Sequence, residues 1–407
     1  MSPTYNSNEN LELIQVTDKD LIDFTRTQNS LAWKGILSSK DYVLREIVLG
    51  KSKIASEGDN NLYVFQLKDV NTDKPKCSIE LLVRQSLRFQ YNESTKKVET
   101  KNIMSGTIGA VFTPPENRGK GYARIMVDKL VDIAKNQYLT DDGYIFLYSE
   151  VGEFYSKNGF KTFGIDLIKI DFDQDLEFKI DSKIKHETIA FHQFEELMEK
   201  YKFKFISEIE SEVAKDHKTR VSIDPTSHLI DWFHLRSKFV THRTFESSEE
   251  LKQDEFDFQN ESYDAIREKF EKSQPEIFGI KTFDSNNDVN GFIVWTIDWS
   301  ENKLQNNATI LKIVAFDDDE DIRINLVKLT FQYLKNNSIY GKTTSTLCIW
   351  ESEVSSNLKE YLVGHFKAKS GLENPSISAI LMCDPKEDKE LKDGKLIWEE
   401  NTKLPWF

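Results

Sequence analysis

Between Ile108 and Asn136 the chain must pass from strand to helix through Thr113-Pro114-Pro115-Glu116-Asn117-Arg118-Gly119-Lys120-Gly121, and this turn constrains the fold more than any other stretch. Successive prolines donate no backbone hydrogen bond and push the residue before them out of helical dihedrals. The strand ending at Phe112 therefore stops there, and no helix begins until the prolines are passed. Beyond them, Gly121 to Asn136 carries Ile125, Met126, Leu130, Val131 and Ile133 at helical spacing. Glycines at 119 and 121 let the backbone turn tightly and let an anion approach the amides of the helix start. The nucleotide versions of such a turn do not fit. A dinucleotide fingerprint needs a third glycine and a parallel unit, and a phosphate-binding Gly-Lys must be followed by Ser or Thr, whereas Gly121 follows Lys120.

Around this turn, Leu62–Leu67, Ser78–Phe89 and Lys101–Thr113 read as three strands of an antiparallel meander, with a polar hairpin at Asn92 to Lys97. Leu11 to Leu49 predicts helix. After the turn come a strand at Tyr144–Tyr148, a helical piece at Glu150–Lys157 and a strand at Lys161–Asp171, closing a first half near Asp175. His186 to Lys215 predicts helix. Phe278–Thr282, Gly291–Trp299 and Thr309–Phe316 predict three more strands, and the acidic run Asp317 to Asp321 opens an amphipathic helix through Lys335, as suits a solvated helix N-terminus. A strand at Thr344–Trp350, a helix at Glu353–Leu362 and a last strand at Ser376–Cys383 complete the order. Both halves thus run three strands, long helix, strand, short helix, strand. The expectation is an α/β chain with a mixed, mostly antiparallel sheet flanked by helices in residues 1–180 and a second, degenerate α/β copy in 181–407.

At roughly 150 residues per domain, 407 residues suit two or three domains. The net charge, 54 − 68 = −14, is opposite to that of a protein that neutralises nucleic-acid phosphates, and it fits a cationic substrate. Apolar runs such as Phe292 to Trp295 fall far short of the ~20 residues that cross a bilayer. Met1 to Asn10 lacks the basic start and apolar stretch of a secretory signal, so a cytoplasmic protein is expected. Cys77, Cys348 and Cys383 show neither disulfide nor zinc spacing, and no metal or obligatory protein partner is expected.

Arg118, Gly121 and Ala123 fill a pattern of Gln or Arg, two residues, Gly, one residue, Gly or Ala, which resembles the coenzyme A motif of the Gcn5-related N-acetyltransferase (GNAT) superfamily. Downstream, Phe154-Tyr155-Ser156-Lys157-Asn158-Gly159-Phe160 is similar to that superfamily's Phe-Tyr-x-x-x-Gly-Phe ending. The resemblance implies a GNAT fold with acetyl-CoA as cosubstrate. It implies that Val111, Phe112 and Thr113 line the pantetheine arm and that Arg118, Gly119, Lys120, Gly121, Tyr122 and Ala123 cradle phosphate. Tyr155 then protonates the departing thiolate. Tyr148 stands where the superfamily often has Asn.

More narrowly, Glu80-Leu81-Leu82-Val83-Arg84, Leu147 to Tyr155, Trp232-Phe233-His234-Leu235-Arg236 and the ending Trp398 to Phe407 resemble the fungal lysine N6-acetyltransferase family. This implies acetyl transfer to the side-chain amine of free lysine, the first step of lysine catabolism. Acetylation of a peptide lysine or a polyamine is the alternative, as is a module that binds acetyl-CoA without turnover.

A lysine side chain with a pKa of about 10.4 is neutral in roughly one molecule per thousand at pH 7, so a base is useful. Glu80 interrupts the apolar strand Ile79 to Val83 and is one candidate; period two also allows it a solvent-facing place beside Ser78 and Arg84. Phe407 is the second, because Leu404-Pro405-Trp406-Phe407 is too apolar to fray, and in two-lobed relatives such as N-myristoyltransferases the terminal carboxylate reaches the site. A free amino acid needs a partner for its carboxylate, which favours Arg236, with Trp232 against the aliphatic stem. His234 has the intrinsic pKa of a base. Trp232, Leu235 and Arg236 also fit one ordinary half-buried helix face, and a lone histidine such as His234 also fits a structural place in a core.

Overall fold

The computed structural model describes residues 9–173, 176, 180–246 and 256–407; the expected close of the first half near Asp175 and most of the polar start lie outside the described residues. The chain opens with β1 (Leu11–Val16), α1 (Lys19–Trp33), α2 (Ser39–Gly50) and α3 (Lys53–Ser56), followed by β2 (Asn61–Asp69), β3 (Lys74–Asn92) and β4 (Lys97–Phe112). The proline-glycine turn leads into α4 (Tyr122–Ile133), β5 (Tyr144–Ser149), β6 (Lys161–Phe163) and β7 (Leu167–Asp171). Then come β8 (His186–Ala190), α5 (Glu195–Asp216), β9 (Thr219–Ile223), α6 (Ser227–Thr241) and α7 (Tyr263–Phe270). The carboxyl part runs β10 (Ile277–Phe283), β11 (Val289–Trp299), β12 (Asn306–Ala315), α8 (Glu320–Asn336), β13 (Thr344–Trp350) and α9 (Ser356–Phe366). It ends with β14 (Lys369–Leu372), β15 (Ile377–Met382), α10 (Pro385–Lys392) and β16 (Leu396–Trp398).

Two mixed sheets result. The first runs β1-β2-β3-β4-β5-β15-β6, with β9 on β3 and β16 on β9; the second runs β14-β7-β13-β12-β11-β10-β8. Each is an antiparallel meander whose last strand gains a parallel neighbour across a helix: β4 with β5 across α4, and β12 with β13 across α8. The two halves exchange strands. β7 leaves the first half to pair with β13, and β15 returns from the second to pair with β5. The crossing is made at Gly164-Ile165-Asp166, which splits the expected strand Lys161–Asp171 in two. A short strand flanks each exchanged one, β6 on β15 and β14 on β7. The duplicated order is therefore visible in the pairing itself.

Four other expectations are corrected. Leu11–Val16 is a strand rather than helix, because the edge of β2 offers it a full antiparallel register from Leu11↔Asp69 to Val16↔Val64. His186–Ala190 is likewise a strand, taken up by β10. The helical piece at Glu150–Lys157 is only a 3₁₀ turn at Phe154–Asn158. The last strand is β16, which adds to β9.

Ile79, Leu81 and Val83 on one face of β3 pack with Met126, Val127 and Leu130 of α4, as the helical spacing requires. In the second half, Ile293 and Trp295 pack with Leu326, Val327 and Phe331. Leu82 and Phe89, elsewhere on the long strand β3, share one core with Phe205 of α5, Phe233 of α6 and Leu404 of the tail, so the halves are joined by apolar contact.

Candidate active site

β4 and β5 pair only as far as Ile108↔Leu147. Beyond that, Tyr148 and Ser149 of β5 pair with Ser378 and Ile377 of β15, and the two central strands diverge. On its other side β4 carries a bulge, since Glu80 faces Gly109 while Ser78 faces Phe112. Ala110 within the bulge has φ 48°, a left-handed value that a non-glycine residue adopts at a cost of about 1–3 kcal/mol. Such a bulge re-aims the following backbone. The edge from Gly109 to Phe112 is thereby left without β5 beside it.

At the end of that edge, Gly119 and Gly121 take φ 77° and 80°, and nothing lies within 4 Å of where a Cβ on Gly119 would stand. The first intrahelical bond runs from Ile125 N–H to Gly121 O, so the preceding amides of the helix start are available to an anion. Arg118 donates from Nε to Thr113 O at 3.0 Å, and Lys120 Nζ donates to Glu116 O at 2.9 Å, which folds both cations around the turn. Tyr122 points the other way: it is buried and its hydroxyl donates to Glu9 Oε2 at 2.6 Å, leaving its backbone alone for the turn.

The equivalent place in the second half has the opposite character. β12 and β13 diverge after Thr309↔Cys348, but the gap is filled from within. Glu353 Oε1 accepts Ile313 N–H at 2.7 Å, and Lys312 Nζ lies 3.1 Å from Glu353 and 2.8 Å from Glu400. The turn before α8 is Asp317 to Asp321 in place of glycines and cations. A cavity of about 830 Å³ beside this cluster is larger, but its cations are already paired: Lys312 with Glu353 and Glu400, Lys204 with Asp318, and Arg323 with Asp318 and Glu320. Coenzyme A fits the residues of the first half and not those of the second.

A smaller cleft, about 320 Å³, lies where the first sheet meets α6 and the tail. Its lining includes Gly109, Ala110, Val111 and Glu80 from the first sheet, and Trp232, Arg236, Lys403, Trp406 and Phe407 from α6 and the tail. Glu80 is 2% exposed, so its position is interior rather than solvent-facing. Burial raises its pKa, against the pull of Arg26, whose Nε is 3.5 Å away, and with the push of Glu46. The ring of Phe407 rests against Gly109. The tail is held there by Arg84, which donates from Nη2 to Pro405 O at 2.7 Å, and by Tyr148, whose hydroxyl donates to Thr402 O at 3.2 Å.

Trp232 and Arg236, one helical turn apart, face the cleft together, and Arg236 Nη1 is paired with Asp298 at 2.8 Å. His234 lies on the opposite side of α6, fully buried, with Nε2 3.0 Å from the Trp295 carbonyl and its ring stacked on Phe278. Burial drives its pKa well below the ordinary value, so the expectation of His234 in the site is corrected: it is a neutral core residue. Tyr155 is not on this cleft's wall. It packs beside α4 in the cluster of Tyr122 and Met126, edge-on to Phe154, and burial pushes its phenol well above the usual range. Val111 lines the cleft, while Phe112 is buried under the Trp33 ring. Lys403, Tyr148 and Trp406 also line the cleft; each lies in a stretch that carries the resemblance, but the sequence assigns none of them a role in substrate binding.

A meander, a bulged and splayed strand pair, and a glycine turn capping the next helix give the first half a GNAT fold, and the second half repeats the meander and the splayed pair without the glycine turn. Two solved structures share it at a TM-score of 0.52. One is a conserved protein of unknown function from Enterococcus faecalis V583, described as a probable N-acyltransferase, at 10% identity over 92% of this chain and 73% of that one. The other is a GCN5-related N-acetyltransferase from Anabaena variabilis, at 12% identity over 92% and 73%. The family model described as LYC1 GNAT-like C-terminal domain matches residues 173–407, more than half of the chain, and the chain belongs to that family. It is 26% identical over 429 aligned residues, covering 96% of both chains, to an uncharacterized protein of Saccharomyces cerevisiae. It is 34% identical over 171 residues, 37% of this chain and 40% of the other, to a lysine acetyltransferase of Yarrowia lipolytica. The chain is a GNAT-type acyltransferase. Among the described residues no group of His, Cys, Asp and Glu could hold a metal ion, and no helix is long and apolar enough to cross a membrane.

Proposed function

We propose that the protein transfers acetyl from acetyl-CoA to the side-chain amine of free L-lysine, the opening step of lysine breakdown in the cytoplasm. The observation that carries this reading is the small cleft between the bulged strand and the tail, about 320 Å³, lined in part by residues of the second half. That volume suits one amino acid and sits at the low end for ligand sites. An extended peptide needs a longer groove. The 34% identity to the Yarrowia lysine acetyltransferase supports the same substrate class.

Acetyl-CoA supplies a thioester, and the chain supplies its setting. The backbone of Val111, Phe112 and Thr113 would line the pantetheine arm, and Arg118 to Ala123 would hold the phosphates. The bulge at Ala110 presents an amide to the oxygen on which charge develops. Glu80, its affinity for a proton raised by burial, takes one from the lysine ammonium. The neutral amine forms a bond to the thioester carbon as the carbon–sulfur bond breaks; Tyr155 would give its phenol proton to the departing thiolate and be restored by the second proton, which the nitrogen sheds as it becomes the amide. Trp232 lies along the aliphatic stem.

Release of the CoA thiol, followed with free lysine and with a lysine-containing peptide, tests the reading. Turnover is expected on lysine. Turnover on the peptide alone would refute the free-lysine assignment, and none on either would favour a non-catalytic acetyl-CoA binder.

A further inference from the structure

Three cations reach the wall of the cleft: Arg45, Arg236 and Lys403. Two are already paired, Arg45 with Glu46 at 2.6 Å and Arg236 with Asp298 at 2.8 Å. Lys403 is not; its ammonium makes no hydrogen bond or ion pair to any described residue. Its ammonium lies 3.7 Å from the centre of the Trp406 ring, 5.7 Å from Phe233 and 6.0 Å from Trp350. A turn in the tail, closed by Trp406 N–H on Lys403 O at 3.1 Å, sets the ring beneath it. Aromatic faces stabilise a cation only partly, and an enclosed ammonium without an anion is costly unless a ligand supplies one. The groups that bear on it are Asp298, Arg236, Cys348 and Glu150, with the two carboxylates each already bonded, Asp298 to Arg236 and Glu150 to Trp33 Nε1 at 3.0 Å.

We propose that the Lys403 ammonium receives the α-carboxylate of the amine substrate, so that the cleft selects an amino acid over the same amine lacking a carboxylate. The inference rests on the small-amine reading above and deepens it. Glu80, from β3, and Lys403, from the tail, both line one cleft, which suits a molecule with a cation at the reacting end and an anion at the other. Burial lowers the pKa of Lys403 to about 7, and a bound carboxylate opposes that shift by favouring the charged form. The deprotonation of Lys403 above neutrality should accordingly weaken lysine binding.

The test compares L-lysine with 1,5-diaminopentane, which has the same amine and stem without the carboxylate. Steady-state kcat/KM is measured for the full chain and for Lys403→Met and Lys403→Gln, with thermal melting as a check on folding. The native chain should prefer lysine, and both variants should lower the lysine-to-diamine ratio by about 10- to 100-fold, chiefly through KM for lysine. A folded variant that keeps the native ratio overturns the role of Lys403 while leaving lysine acetylation standing. A native chain that prefers the diamine overturns the proposal as well. Failure of the native chain on lysine refutes the functional reading itself.

Discussion

The ring of Phe407 lies so close to Gly109 that a Cβ on the glycine would stand 2.6 Å from Cδ1 and Cε1 of that ring. The tail of the second half thus rests on the first residue past the point where β4 and β5 separate. Gly109→Ala should push the ring out of the cleft while leaving the sheets intact, because the obstructing atoms belong to one movable side chain. An overpacking cost of up to about 1–3 kcal/mol is expected in the melt, with kcat/KM for acetyl transfer falling about tenfold or more. Undiminished activity would separate the tail from the site.

Glu80 sits opposite Gly109 across the bulge and is buried beside Arg26 and Glu46. Glu80→Gln should lower kcat by about 10²–10⁴-fold. Because burial raises the native carboxyl, the acid limb of the pH profile should lie above the ordinary carboxylate range, activity rising as the proton leaves. The variant should lose that limb. An unchanged profile would remove Glu80 from the role of base.

The filled gap of the second half carries its own pH signature. Glu353 is pushed up to about 7 by burial, with Lys312 pulling down and Glu400 pushing up. A carboxyl whose folded pKa exceeds its ordinary value of 4.5 stabilises the fold fully below about 4.5, and that contribution is lost as pH rises through about 7. Urea melts at pH 5 and pH 8 should differ by about 1–3 kcal/mol more for the native chain than for Glu353→Gln, which keeps an acceptor for Ile313 N–H. Equal differences would contradict this.

The exchange of β7 and β15 makes each sheet depend on chain from the other half. Residues 1–180 and 181–407, produced separately, should each show poor solubility and little cooperative melting, and together should recover activity. Independent, cooperative folding of both pieces would contradict the exchange.

The glycine turn and its helix were legible because Pro114, Pro115, Gly119 and Gly121 restrict the backbone wherever they stand. Leu11 to Val16 was misread because a short apolar run has no decisive period, and only the edge of β2 chooses strand. The exchange of β7 and β15 was hidden for a related reason: short buried strands carry no mark of their partner. Helical spacing puts Trp232 and Arg236 on one face of α6 and His234 on the other, so the side on which His234 is buried is a signal present in the sequence that the expectation of His234 as a base did not use. Glu80 was visible as a charge in an apolar strand, but its interior side depended on α1 and α2 supplying Arg26 and Glu46. Lys403 had no signal, since its meaning comes from the ring of Trp406 and the absence, among the described residues, of a pairing carboxylate.

Incubation with acetyl-CoA and lysine labelled with ¹⁵N only at the side-chain nitrogen, followed by NMR of the product, tests the central claim most directly. Acetyl transfer in this cleft predicts a new ¹⁵N amide signal growing with CoA release. CoA release that leaves the label as an amine, or no release from lysine at all, would contradict it.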